Sequence, residues 1–146
     1  MTLRLALASD HGGFALKQQL LAALAGTAAL ELIDLGTHDA AAIDYPIVAQ
    51  QLCRAVLDGQ AERGLLICGT GIGVSIMANR FPGIRAALCT DPFMARMARE
   101  HNDANVLCLG GRVIGPGLAE EIVRQFLSGT FAGGRHATRV ALLGSP

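Results

Sequence analysis

The chain has 146 residues, of which 51% are hydrophobic but only 4% aromatic, and its twelve basic and twelve acidic residues balance. That length suits one domain, with a core built from Ala, Leu, Ile and Val. The charge balance gives no footing for nucleic acid or an anionic membrane, and no apolar run is long enough to span a membrane.

In chain order, Leu3 to Ala8 reads as a buried first strand. It is too brief for a signal peptide, and Asp10-His11 interrupts it. Phe14, Leu16, Leu20, Leu21 and Leu24 then recur at helical spacing, closed by Gly26. Leu30 to Leu35 is a second strand, ended by Gly36-Thr37. Asp44-Tyr45-Pro46 opens a helix with a capping residue and a proline near its first turn. Ile47, Val48, Leu52, Val56 and Leu57 supply its buried face, and Gly59 ends it. Gly64 to Cys68 is the third strand, with a helix from about Ile72 to Asn79. Phe81-Pro82-Gly83 is a turn. Ile84 to Cys89 is a fourth strand, followed by a helix from Asp91-Pro92 to about Glu100. Asn105 to Leu109 is a fifth strand, and Gly115-Pro116 begins a helix ending near Ser128-Gly129. A tail from residue 130 remains. Five β-α units predict an α/β fold: a three-layer, Rossmann-like sandwich with a five-stranded parallel sheet, forming one domain over residues 1–146. The near-continuous apolar strands fit a sheet covered on both faces.

The stretch Gly64-Leu65-Leu66-Ile67-Cys68-Gly69-Thr70-Gly71-Ile72-Gly73-Val74-Ser75 stands out. An apolar strand ends in a thiol, a glycine-rich loop follows, and a helix begins. Unpaired backbone N–H groups gather there and favour negative charge. The spacing matches neither the dinucleotide fingerprint nor the lysine-bearing phosphate loop, so the motif alone also suits a tight strand-to-helix turn. The other cysteines, Cys53, Cys89 and Cys108, lie in apolar runs and read as small core residues. No C-x-x-C or His pair suggests a metal site, and four scattered thiols point to the reducing cytoplasm.

Ligands of such sheets bind beyond the carboxyl ends of the strands. That rule brings together Asp10 and His11 after strand one, Asp44 and Tyr45 after strand two, Cys68 and Thr70 after strand three, and Arg112 after strand five. Arg135 and Arg139 in the tail would share a face if helical, with charges suited to phosphate or carboxylate; a solvated terminus is the plainer reading. His101 and Asn102 fall between a helix and the next strand, where a histidine can simply complement the helix dipole.

Taken together, Ser9-Asp10-His11-Gly12-Gly13-Phe14, Asp44-Tyr45-Pro46, Ile67-Cys68-Gly69-Thr70-Gly71-Ile72-Gly73, Ala78-Asn79-Arg80, Gly83-Ile84-Arg85-Ala86, His101-Asn102-Asp103-Ala104-Asn105-Val106 and Gly133-Gly134-Arg135-His136 resemble the type B ribose-5-phosphate isomerases. These form one family with the galactose-6-phosphate isomerase subunits, and the resemblance runs from Leu5 to Val140. It implies aldose–ketose isomerisation of a sugar phosphate through an enediolate, with no metal or cofactor. On that resemblance Cys68 is the base moving a proton between C1 and C2, and Thr70 supports it. The backbone of Gly69, Gly71, Ile72 and Gly73 holds the enediolate oxygen. His101 is the acid of ring opening. Asp10, His11, Tyr45, Asn102, Arg112, Arg135 and Arg139 bind the sugar and its phosphate. Some members of the family use a glutamate just after the last loop glycine, but here Val74 stands at that position and cannot act as a base. The chemistry suits the loop, because enolisation needs a base and fixed dipoles where the oxyanion develops.

Alternatives are isomerisation of another sugar phosphate (allose 6-phosphate, galactose 6-phosphate or a tetrose phosphate), a non-catalytic sugar-phosphate-binding module, and a subunit active only beside a different chain. Geometry adds an expectation about assembly. His101 closes a helix returning from the catalytic edge, and a helix of about ten residues spans about 15 Å. His101 should therefore lie far from its own Cys68, and with His101 as the acid that the resemblance implies, a neighbouring copy supplies it, which makes the protein a homo-oligomer, a dimer or dimer of dimers, with shared sites. The tail, 130–146, docks on a partner subunit in this scheme. An extended tail could also carry the arginines back within one chain.

Overall fold

The computed structural model describes residues Met1–Pro146. In chain order the elements are β1 (Leu3–Ser9), α1 (Phe14–Leu24), β2 (Leu30–Asp34), α2 (Tyr45–Leu57), β3 (Arg63–Cys68), α3 (Ile72–Ala78), β4 (Ala86–Leu88), α4 (Pro92–Asn102), β5 (Val106–Gly110), α5 (Pro116–Ser128) and α6 (Arg135–Leu143). The five strands are all parallel, in the order β2-β1-β3-β5-β4.

Alternation along the strands builds two cores. Leu5, Leu7, Leu65, Ile67, Leu107 and Leu109 face one side, against Leu20 and Leu24 of α1, Ala95 and Ala98 of α4, and Ile122 and Phe126 of α5. Ala6, Ala8, Leu66, Cys68, Val106 and Cys108 face the other, against Val48, Leu52 and Cys53 of α2 and Val74 and Ala78 of α3. Each wholly buried leucine contributes about 2 kcal/mol. Because the connection after β1 leaves toward one face and that after β3 toward the other, a crevice opens between their carboxyl ends, the switch point where such sheets bind ligands.

Three sequence expectations change. The fourth strand is shorter than Ile84 to Cys89, because Ile84 closes the turn by donating to Phe81 O at 3.0 Å. The helix from Pro92 continues through His101 to Asn102, so these two residues form its last turn and do not lie beyond it. The tail is not extended: α6 follows Gly133 and Gly134, whose φ values of 66° and 56° favour glycine. Edge strand β4 has a side-chain neighbour. Asn79 Nδ2 donates to Ala86 O at 2.9 Å, and its Oδ1 accepts from Ala86 N at 2.8 Å. No helix is long and apolar enough to cross a membrane.

Candidate active site

Cys68 ends β3 and is 5% exposed. Its Sγ accepts the Gly71 N–H at 3.1 Å, and the Thr70 hydroxyl accepts the Ile72 N–H at 3.2 Å. Those two bonds fold the loop back toward the sulfur, while the N–H groups of Gly69, Thr70 and Gly73 find no partner in the chain. Gly71 has φ of 80°, and a Cβ on it would lie 2.6 Å from Leu88 Cδ1 and 2.9 Å from the Leu109 carbonyl carbon. Glycine is therefore required twice over, by conformation and by space.

Neighbouring loops close around this turn. A Cβ on Gly12 would lie 3.2 Å from Gly69 N, so the Asp10–Gly13 segment runs beside the glycine loop. Asp10, 8% exposed, accepts the Gly13 N–H at 3.1 Å. His11 Nδ1 accepts the Ile43 N–H at 3.2 Å, which assigns the ring proton of the neutral imidazole to Nε2. The Tyr45 ring lies against Gly73, 2.7 Å from where a Cβ would be. Gly111 N donates to Cys68 O at 2.8 Å and Arg112 N to Gly69 O at 3.0 Å, so the end of β5 is latched to the loop. The Arg112 guanidinium thereby comes over Gly69, with Nη1 3.7 Å from the Cβ position. The strand-end pole thus brings together Asp10, His11, Tyr45, Cys68, Gly69, Thr70, Gly71, Ile72, Gly73 and Arg112.

His101, Asn102, Arg135 and Arg139 lie at the opposite pole. Asn102 O accepts from Arg85 Nε at 3.0 Å, and Arg85 stands where β4 begins. β3 alone, running from one pole to the other, spans roughly 17 Å. The His101 ring stacks on His136 of α6, with centroids 4.1 Å apart and planes 9° apart. Ala132 N donates to Glu100 O at 2.9 Å, so the chain entering α6 is tied to α4. The expectation that the tail could carry Arg135 and Arg139 back to their own Cys68 is corrected: as a helix fixed to α4, it holds them at the His101 pole. Partial desolvation beside the stacked ring, then the coulombic influence of His101, Arg135 and Arg139, push the His136 imidazole below its ordinary range.

The arginines sort by what holds them. Arg63, Arg85 and Arg99 are spent on carbonyls at helix ends, Arg63 at Phe126 O (2.6 Å) and Leu127 O (2.7 Å). No carboxylate of the chain pairs with Arg112, Arg135 or Arg139, which leaves their forks for an anion. Between α6 and the turn before β4 lies a cleft of about 570 Å³, lined by Arg80, Arg85, Asn102, Val140 and Leu143. No three His, Cys, Asp or Glu side chains gather into a metal-ligand arrangement.

Two features escape a reading of the motifs. Lys17 is wholly buried at this rim, bonded to Asp34; its signal is that position 17 falls on the helical stripe of Leu20 and Leu24. Gly110 and Gly111 pack directly on Thr70 and Gly12, and the signal is a second glycine pair closing an apolar strand.

Residues 5–143 match the family described as Ribose/Galactose Isomerase. The chain is 47% identical over 137 residues to the ribose-5-phosphate isomerase B of Escherichia coli (strain K12), covering 94% of this chain and 91% of that protein. It is 51% identical over 100 residues to the D-erythrulose-4-phosphate isomerase of Pectobacterium atrosepticum, covering 68% and 66% respectively. The crystal structure of a ribose 5-phosphate isomerase from Thermotoga maritima superposes with a TM-score of 0.96 at 46% identity, over 100% of both chains.

Proposed function

Because the chain belongs to the ribose/galactose isomerase family, we propose that it interconverts ribose 5-phosphate and ribulose 5-phosphate through an enediolate. The reaction moves one proton between C1 and C2 and another between their oxygens. Cys68, as thiolate, takes the C2 proton of the open-chain aldose and returns it at C1. Charge developing on the C1 oxygen meets the unpartnered N–H groups of the 69–73 loop, fixed before the reaction begins. Asp10 and His11 hold sugar hydroxyls, and Tyr45 flanks the loop. The observation that carries this reading is the Cys68 sulfur receiving an N–H at 3.1 Å in a loop whose Gly69, Thr70 and Gly73 N–H groups are free, under the Arg112 guanidinium.

The working site is shared between two copies of the chain, in a dimer or dimer of dimers. His101 of one copy opens the sugar ring at the Cys68 pole of the other. Asn102, Arg135 and Arg139 of that same copy hold the sugar and its phosphate beside Arg112. In support, the two groups of residues lie at opposite poles of one chain. The α6 helix buries none of its residues within its own chain and exposes Leu142 and Leu143, as a tail docking on a partner would. The four free thiols accord with a cytoplasmic location.

A second reading, isomerisation of a tetrose phosphate, is favoured by the similarity to the Pectobacterium protein. The test is kcat/KM across ribose 5-phosphate, allose 6-phosphate, galactose 6-phosphate and erythrulose 4-phosphate. Ribose 5-phosphate is expected to lead. A higher value on the tetrose phosphate moves the assignment to it, and turnover of none of the four refutes sugar-phosphate isomerisation.

A further inference from the structure

Lys17 is wholly buried, at 0% exposure, on the second turn of α1. An ammonium taken out of water has to be paired. Its Nζ donates to Asp34 Oδ1 at 2.7 Å and to Gln18 Oε1 at 3.2 Å. Asp34 is the last residue of β2, so the pair bridges two elements at the strand-end pole. Burial pushes the Asp34 carboxyl up, but the Lys17 and Gly36 hydrogen bonds and the charges of Lys17 and His38 together hold it below its ordinary value.

The bonds continue from Asp34 in a closed ring. Asp34 Oδ1 also accepts the Gly36 N–H at 3.0 Å. Gly36 O accepts the Ser9 N–H at 2.8 Å, and Ser9 O accepts the Thr37 N–H at 2.8 Å. Ser9 leads into Asp10, which accepts the Gly13 N–H, and Gly13 O accepts the Lys17 N–H at 2.9 Å. The Ser9 hydroxyl is buried without a hydrogen-bond partner, so its own side chain does not anchor this segment. His11 follows, held from the other side by Ile43 in the loop that leaves Gly36. Replacing a buried ion pair by apolar residues of similar volume is often neutral or stabilising. The charges here therefore supply direction more than stability, fixing where β1 ends relative to α1 and β2.

We propose that Lys17 and Asp34 are positioning residues of the reaction, an ion pair of a buried lysine and a half-buried carboxylate that fixes the Ser9–His11 segment so that Asp10 and His11 meet the sugar. This rests on the reading of Asp10 and His11 as sugar-binding groups. Neither Lys17 nor Asp34 touches the substrate. Their effect passes through the ring of bonds and is felt in substrate binding, whereas proton transfer at Cys68 proceeds as before once the sugar is bound.

The experiment uses Lys17→Met and Asp34→Asn, each alone and combined with His11→Ala, with steady-state kinetics on ribose 5-phosphate and thermal unfolding to establish that each variant is folded at the assay temperature. Asp34→Asn keeps an acceptor for Gly36 and Lys17 and removes only the charge, so it decides the matter if Lys17→Met does not fold. The expected result is a KM raised about five- to tenfold with kcat within about twofold. In the His11→Ala background the added change should shrink measurably, because one of the two positioned groups is gone. Unchanged KM in the folded variants, with His11→Ala alone impaired, overturns the positioning role. The same fold-loss with and without His11 also overturns it, since that is the mark of a general structural role. Unchanged KM in His11→Ala alone instead overturns the sugar-binding reading, and this proposal with it.

Discussion

The four thiols of this chain have different surroundings, and those surroundings sort them by role. Burial pushes Cys53 to about 11; burial and the nearby Asp91 push Cys89 to about 12; and Cys108, wholly enclosed, is held well above its ordinary value. These three stay protonated at neutral pH and act as small apolar side chains. Cys68 alone faces the glycine loop and receives a backbone N–H. Cys68→Ser keeps the shape and replaces the thiol with a hydroxyl that does not ionise near neutrality. The expected outcome is a kcat lower by at least about a hundredfold, with a competitive inhibitor binding as before; steady-state rates and an inhibitor titration measure the two. Near-normal turnover would remove Cys68 from the role of base. The place of Cys68 at the mouth of the loop was legible in the sequence because an apolar strand ending just before glycines puts its last residue there, whereas its reading as a base came from the family resemblance. The Lys17–Asp34 pair was not, because a lysine on an apolar stripe reads as a solvated residue until the carboxylate that meets it is known, and that carboxylate is seventeen positions away.

Among the elements, the β-α alternation set the order of α1 to α5, since each is bounded by a glycine, proline or capping residue, while the face each one covers came from the structure. α6 was legible only as a possible spacing of two arginines. Its nine residues follow two glycines and are few for a periodic signal, so the segment reads as a tail until its turns are seen. What α6 contributes is a fixed geometry: Arg135 and Arg139, one turn apart, project from one face with no carboxylate to neutralise them. Arg139→Ala is expected to raise KM for the phosphorylated sugar about tenfold or more, as loss of a charged hydrogen-bond partner does. The slow reaction of the unphosphorylated sugar should change little. Parallel kinetics on both sugars provide the check, and equal losses would count against a phosphate role.

At the scale of the whole molecule, parallel strands send Cys68 and His101 to opposite ends, and on the proposed function that separation makes assembly a condition of activity. Mixing Cys68→Ser chains with His101→Ala chains, each nearly inactive alone, is expected to restore up to about a quarter of wild-type activity. Half the dimers at random exchange are mixed, and each mixed dimer has one intact site of two. Verified subunit exchange without recovery, or an active monomer, would refute sharing. Such a protein must associate with copies of itself in one way while resisting others. A parallel sheet ends in edge strands whose free N–H and C=O groups can recruit any extended chain. At β4 the Asn79 carboxamide already occupies both groups of Ala86, and the strand is only three residues long. A passing strand therefore finds a short and partly occupied template along this flank, which leaves little room there for the strand-to-strand stacking that leads to fibrils.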